Sequence, residues 1–331
     1  MKQALRKYIW LSAVVLGAAV PSGCGTANQE SPEPITGGDN ADTGTTNTSS
    51  DEIGERAEEA PDTAAIPAPI GGCVISSPSG EVPENLYENS GLVQTDAYLP
   101  FTKIIRVRGI TLMGQDDNTD AFMLKVAQAV EEMFPENDSS LDAELQRKVI
   151  RSMYERKTVI PFFKGDVGVE FSGEAETQFD RVHDNNSLCD AIFEIGGEGQ
   201  TMEVVEHILH HVTMVGLHYT FYDDWGVNRE STHHTHMLDA LSSGYYNADY
   251  GPQSSDERMR IYLQEYAYWV ISSAWDIQES YGGDQGGGEW TLPSSQALSS
   301  GSLEMYSIYL ATAAKVMKAP SLETLSWFRD L

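Results

Sequence analysis

Basic residues are scarce in this chain: 21 Lys and Arg stand against 50 Asp and Glu, a formal net charge of −29. So acidic a surface is repelled by phosphate backbones, which excludes nucleic acid as a partner. Long apolar runs are also missing. The one near the N-terminus, Tyr8 to Val20, stops well short of the ~20 residues that a helix needs to cross a bilayer's hydrocarbon core. No Gly-x-Ser-x-Gly elbow is present, which argues against a Ser-His-Asp hydrolase. The glycines of SYGGDQGGGEW have no Gly-Lys-Ser or Gly-Lys-Thr after them, so that segment reads as a flexible loop and not as a phosphate cradle. The loop ENDSSLD offers Asp138 and Asp142 but lacks the glycine and terminal glutamate of a calcium-binding EF-hand.

What the N-terminus does contain is the order of parts of an export signal. Lys2, Arg6 and Lys7 precede the apolar run, which closes on small residues before a cysteine. Pro21-Ser22-Gly23-Cys24 resembles the bacterial lipobox, with Pro21 where Leu is usual, which implies cleavage before Cys24 and lipidation of that cysteine. Such cleavage takes three of the 21 basic residues and none of the 50 acidic ones, leaving 18 against 50 and a net charge of −32. Residues 1–23 are then a signal peptide. Residues 24–68, rich in Gly, Ser, Thr, Asn, Pro and acid, bury too little apolar surface to offset the entropy of ordering and read as a disordered tether. Residues 69–331 are long enough for one large globular domain. The expected setting is the cell envelope, with the protein anchored by its lipid to a membrane, the outer one on account of Gly25.

With Cys24 committed to lipid, Cys73 and Cys189 remain, and in an oxidising compartment they form a natural disulfide. The alternatives are two buried thiols or a nucleophilic Cys189, although Leu188-Cys189-Asp190 matches no nucleophile signature.

Along the domain, Lys103–Leu112 reads as a strand, rich in β-branched residues. Asn118-Thr119-Asp120 caps an amphipathic helix that runs to Phe134. A second helix spans Leu141 to Glu155, a strand Thr158 to Phe163, and residues 165–200 read mostly as loop. The second half is helical, with helices over Met202–Gly216, His236–Ser243, Asp256–Ile277 and Ser302–Met317, the first closed by Gly216 as a C-cap.

The chemistry concentrates in TMEVVEHILHHVTMVGLHY, where Glu203, Glu206, His207, His210, His211 and His218 crowd one helix and its exit. Residues four apart share a helical face, and Glu206 with His210, or His207 with His211, has the spacing by which a helix grips zinc. Zinc accepts both imidazole nitrogen and carboxylate oxygen, and a hydrolytic site keeps one position open for water. Glu265, in the aromatic helix IYLQEYAYWVIS, is the leading third ligand, since glutamate is seldom buried unless paired. A second histidine cluster, His233, His234 and His236, reads either as a metal-capturing tract or as a polar helix start capped by Ser231 or Thr232.

At these two segments the chain resembles a group of secreted bacterial proteins with an EExLHxxT-like helix and a later EYxYW helix. That arrangement is similar to zincin metallopeptidases of the glutamate type. The resemblance implies an α+β, zincin-like fold: a small strand and helix lobe, then a mainly helical lobe. It further implies a Zn²⁺ site with Glu206, His210 and Glu265 as ligands and His207 in the general-base place, acting on a peptide or protein substrate. Two departures stand out, a carboxylate where the first zinc histidine belongs and an imidazole where the catalytic glutamate belongs. A second register has His207 and His211 as ligands with Glu265, and Glu203 or Glu206 as base; His218 is a further alternative ligand. The competing functions are a non-catalytic scaffold and a metal-capturing protein.

Overall fold

A computed structural model describes residues 66–165, 171–282 and 288–331. Residues 1–65, on which the expected export signal, Cys24 and most of the expected tether fall, lie outside these residues, as does the centre of the glycine-rich loop. All the described residues belong to one compact unit. Among them, no helix is long and apolar enough to cross a membrane. Ile66 and Ile70 pack on the main core, and His218 Nε2 lies 2.8 Å from the Pro67 carbonyl. Residues 66–68, assigned by composition to the tether, therefore carry contacts to the fold.

A five-stranded sheet opens the unit: β1 (Val93–Tyr98), β2 (Phe101–Val107), β3 (Ile110–Gly114), β4 (Thr158–Lys164) and β5 (Ile192–Glu194), ordered as numbered. The first three strands run antiparallel, while β3–β4 and β4–β5 are parallel. The stretch expected as one strand over 103–112 is a hairpin. Val107 pairs with Ile110, and Arg108 and Gly109 between them both have positive φ, 48° and 83°, the requirement of a two-residue turn. A Cβ on Gly109 would sit 2.5 Å from the Ile150 carbonyl oxygen. Arg108 adopts the strained conformation because its guanidinium is held by the carbonyls of Tyr87 and Phe134.

Helices α1 (Asp120–Met133) and α2 (Ala143–Glu155) form the crossover between β3 and β4, with Thr119 and Asp142 as side-chain N-caps. Asp142 is thus a helix cap, and Asp138 holds Ser140 and Lys318. Residues 165–200, expected as loop, contain α3 (Glu174–Asn185) and β5. Side chains alternate across the strands. Ile105, Val107, Ile110, Leu112, Ile160 and Phe162 join the main core with the helical half, whereas Ile104, Met113, Val159 and Phe163 form a second core with Val182 of α3.

Helix α4 (Gln200–His211) does not stop at Gly216. It passes through a π-helical stretch, Val212–Leu217, into a last turn ending at Thr220. Gly216 permits a close approach, since a Cβ there would lie 2.7 Å from Val149 Cγ1 of α2. After it come α5 (Thr232–Ser243), α6 (Asp256–Ala274), α7 (Ser295–Gly301), α8 (Leu303–Ala311) and α9 (Leu322–Arg329). Helix α6 is buried on every side from Met259 to Ser273, its polar Arg260, Gln264 and Glu265 included. The single helix expected over 302–317 is broken at Thr312, whose hydroxyl takes the Trp225 indole N–H at 2.7 Å. The result is a mixed αβ architecture in which α4 lies beside β5 and packs on α6.

Candidate metal centre

Helix α4 is fixed to the sheet by its first turn. Gln200 donates to the Phe193 carbonyl at 2.9 Å and accepts from Ile195 N and Gly196 N at 2.7 and 2.8 Å. Glu203 Oε1 accepts from Phe193 N at 2.9 Å. The outward backbone groups of Phe193 on edge strand β5 are thereby closed off, with Oε1 of Glu203 engaged in that bond.

One and two turns further along, Glu206 and His210 face Glu265 of α6. One ligand atom from each of these three residues lies within 4.8 Å of the others, and His210 Nε2 is 3.4 Å from Glu265 Oε2. The structure therefore brings together the three residues that the resemblance implied. A second grouping within the same distance joins Asp190, His207 and His210. His210 belongs to both.

The hydrogen bonds define how His210 is presented. Its Nδ1 lies 2.9 Å from Asp190 Oδ2, and Gln264 Nε2 donates to the same carboxylate oxygen at 3.0 Å. Gln264 in turn accepts from Arg260 at 2.5 Å. With Nδ1–H given to Asp190, Nε2, which is buried without a hydrogen bond and lies 3.4 Å from Glu265 Oε2, is the nitrogen that carries the lone pair once the ring gives up its second proton. A carboxylate behind an imidazole whose far nitrogen makes no hydrogen bond is the arrangement that orients metal-bound histidines. The residues present thus fit a divalent cation: one imidazole and two carboxylates suit zinc, and two carboxylates match its charge.

His207 lies on the Asp190 side. Its Nδ1 is 2.6 Å from the Glu203 carbonyl, its Nε2 is 3.6 Å from Asp190 Oδ1 without a hydrogen bond, and the ring is fully buried. Burial works against charge on this imidazole, but Glu203 and Asp190 outweigh it and raise its pKa to about 9. Burial likewise opposes charge on His210, and Glu265 with Asp190 raises it to about 10. Glu206 is pushed well up by burial and by Glu265, whereas Asp190, despite burial, is held low by His207 and His210. The cluster therefore holds protons where a cation would balance its carboxylates, and metal binding would release them.

The alternative ligands do not reach this centre. His211 has both nitrogens engaged, Nδ1 with the His207 carbonyl at 2.8 Å and Nε2 accepting from Cys189 N and Asp190 N at 3.3 and 3.4 Å. The His207–His211 register would need one of these His211 nitrogens released. His218 is a core residue: Nε2 donates to Pro67 O, and Nδ1 accepts from Val227 N at 2.9 Å. In the second cluster, Ser231 caps α5 as one reading had it. His233 is buried between the rings of Trp225 and Tyr266, and His236 faces Asp239 and Glu304. Neither metal-ligand grouping found among the described residues includes them. Cys73 and Cys189 are disulfide-bonded.

Three residues of the centre escape sequence reasoning. Asp190 sits in a loop with no periodic pattern, and its one signal is adjacency to Cys189. Gln264 is marked only by preceding Glu265. Glu289 accepts from Tyr250 and Trp269 beside Glu265, with its pKa raised to about 7 by burial and then by Glu265. Its signal is an acid wedged between glycines and Trp290. No protein-family model, curated protein or solved structure matches this chain, so its functional reading rests on the convergence of Glu206, His210 and Glu265 from two packed helices.

Proposed function

We propose that the chain is an exported protein, anchored in the envelope by a lipid on Cys24, whose zincin-like domain binds one zinc ion through Glu206, His210 and Glu265 and hydrolyses peptide bonds. The observation that carries the reading is the buried Nε2 of His210, which makes no hydrogen bond, lies 3.4 Å from Glu265 Oε2 and is backed across the ring by Asp190. When bound, zinc would supply Lewis acidity and a nucleophilic water at neutral pH. Of the chain's own groups, His210 and the two carboxylates hold the ion and Asp190 fixes the His210 tautomer. His207 carries a proton at Nε2, beside the centre, for transfer to a leaving amine.

Metal analysis of the purified protein, made without a histidine tag, tests this. One tightly held zinc per chain is expected, lost in His210→Ala and in Glu265→Ala; a metal-free protein after zinc loading rejects the reading. Cleavage of a peptide library is expected from the zinc form and should fall at least 100-fold in His207→Ala. The complete burial of His207 favours a second reading, a zinc-bearing scaffold without catalysis. Zinc binding with no cleavage by the wild-type protein would select it.

A further inference from the structure

The loop between α3 and β5 reaches the centre through Asp190, and what holds that loop is unusual in its composition. At its start, Ser187 is tied to β4: Ser187 N donates to Lys157 O, and Val159 N donates to Ser187 O. The next residues rest on two side chains from distant parts of the chain. Cys189 is bonded to Cys73, 116 residues earlier, and Leu188 N donates to the Cys73 carbonyl at 3.1 Å. His211 Nε2 accepts from both Cys189 N and Asp190 N. The segment 187–191 lies outside any helix or named strand, so no ladder of its own fixes where Asp190 points.

Asp190 has a defined task at that point. Its Oδ2 takes His210 Nδ1 at 2.9 Å, and its Oδ1 stands 3.6 Å from His207 Nε2. Moved a few ångströms, it no longer fixes the His210 tautomer, and Nε2 is no longer kept as the lone-pair nitrogen facing Glu265. Loss of such a supporting carboxylate costs roughly 10–100-fold in metal affinity.

We propose that the Cys73–Cys189 disulfide clamps Asp190 as the positioning residue of the metal centre, so that the chain holds its ion at Glu206, His210 and Glu265 with full affinity only after these two cysteines are oxidised. This rests on the metal-binding reading above. The oxidation is thiol–disulfide exchange with an external disulfide: the Cys73 and Cys189 thiols lose two protons and two electrons, the Sγ–Sγ bond forms, and the external disulfide leaves as two thiols. A chain with both cysteines reduced keeps its ligands but not the orientation of His210.

The test measures zinc affinity of the full chain by chelator competition, with the visible spectrum of the cobalt-substituted protein as a report on ligand geometry. Cys73→Ala/Cys189→Ala, which leaves only Cys24, blocked by lipid in the proposed anchored form, is expected to bind zinc 10–100-fold more weakly than the oxidised wild type, as is Asp190→Ala. Asp190→Asn, which keeps an uncharged acceptor at Nδ1, should fall between. Combining the cysteine pair with Asp190→Ala should weaken zinc binding little beyond Asp190→Ala alone, because the disulfide acts through that carboxylate. Thermal unfolding, which the disulfide should affect in every background, separates this coupling from general stability. If the alanine pair does not fold, phosphine reduction of the folded wild type followed by alkylation of the freed thiols gives the comparison without a thiol ligand. Equal affinity with and without the disulfide, or losses that simply add, overturns the clamp while leaving the metal centre standing. An oxidised wild type that binds no zinc overturns both.

Discussion

Between His207 and His218 one continuous helical run carries four imidazoles, and their hydrogen bonds sort them. His210 points Nε2 toward Glu265, His207 turns to Asp190 and Glu203, His211 is bonded at both nitrogens, and His218 bridges Pro67 and Val227. The last is a residue whose charge the fold refuses, with burial first and Arg156 next pulling its pKa down to about 4. A histidine depressed in the fold binds its proton in the unfolded chain first. Its stabilising effect is therefore complete above the unfolded value near 6.5 and is lost as pH falls from 6.5 toward 4. Wild type should lose on the order of 3 kcal/mol more than His218→Gln across that window. Urea denaturation of both proteins at pH 7.5 and pH 4.5 checks this, and parallel pH profiles would show that His218 is not the cause. The helical spacing made Glu206 and His210 legible as a pair, because residues four apart share a face, while Glu265 joined them only through its aromatic helix and the resemblance. The spacing could not tell His210 from His211, since their difference lies in loop 187–191, which reaches one and satisfies the other.

At the level of elements, Glu194 at the end of β5 ties together parts that come from three places in the chain. Its carboxylate accepts from Thr119 N and Thr119 Oγ1 at the start of α1, from Asn118, and from Lys164 of β4 at 2.6 Å. Four donors outweigh the cost of burial, and the pKa of Glu194 is held below the ordinary carboxylate range. Glu194→Gln turns an acceptor into a donor facing donors and should cost about 2–3 kcal/mol in unfolding free energy, at the upper end for bonds to a charged group. Chemical denaturation reads it, and a loss under 0.5 kcal/mol would mean that the network is dispensable. Helix α1 was legible because Thr119 announces its start, whereas α2 was legible over 141–155 without its cap, Asp142 reading in the sequence only as a carboxylate of a cation loop. The β2–β3 turn was not, because Arg108-Gly109 carries no asparagine or aspartate signal and its shape is imposed by carbonyls that take the Arg108 guanidinium. Gly216 misled as a terminator for a related reason: a neighbouring helix, and not a chain reversal, requires a glycine there.

For the whole molecule, the excess of acid sets the balance of forces. With 50 acidic residues against 21 basic, compaction brings like charges together, and that repulsion is screened as the Debye length falls from about 30 Å at 0.01 M salt to under 10 Å above 0.1 M. The melting temperature should rise by several degrees between 10 mM and 500 mM sodium chloride, measured by circular dichroism. An unchanged or lower value would show that the acidic groups are already compensated in the fold. The sequence by itself determined this charge balance, the division into helical and strand-bearing halves, the capped helices and the face on which Glu206 and His210 lie, because each follows from composition or from a period of a few residues. The cysteine count pointed to Cys73 with Cys189, and the structure joins them; only the tertiary structure decided that Glu265 meets that face and that Asp190, from an unpatterned loop, selects His210. Those contacts join residues 20 to 116 positions apart, and local periodicity carries no information over such separations.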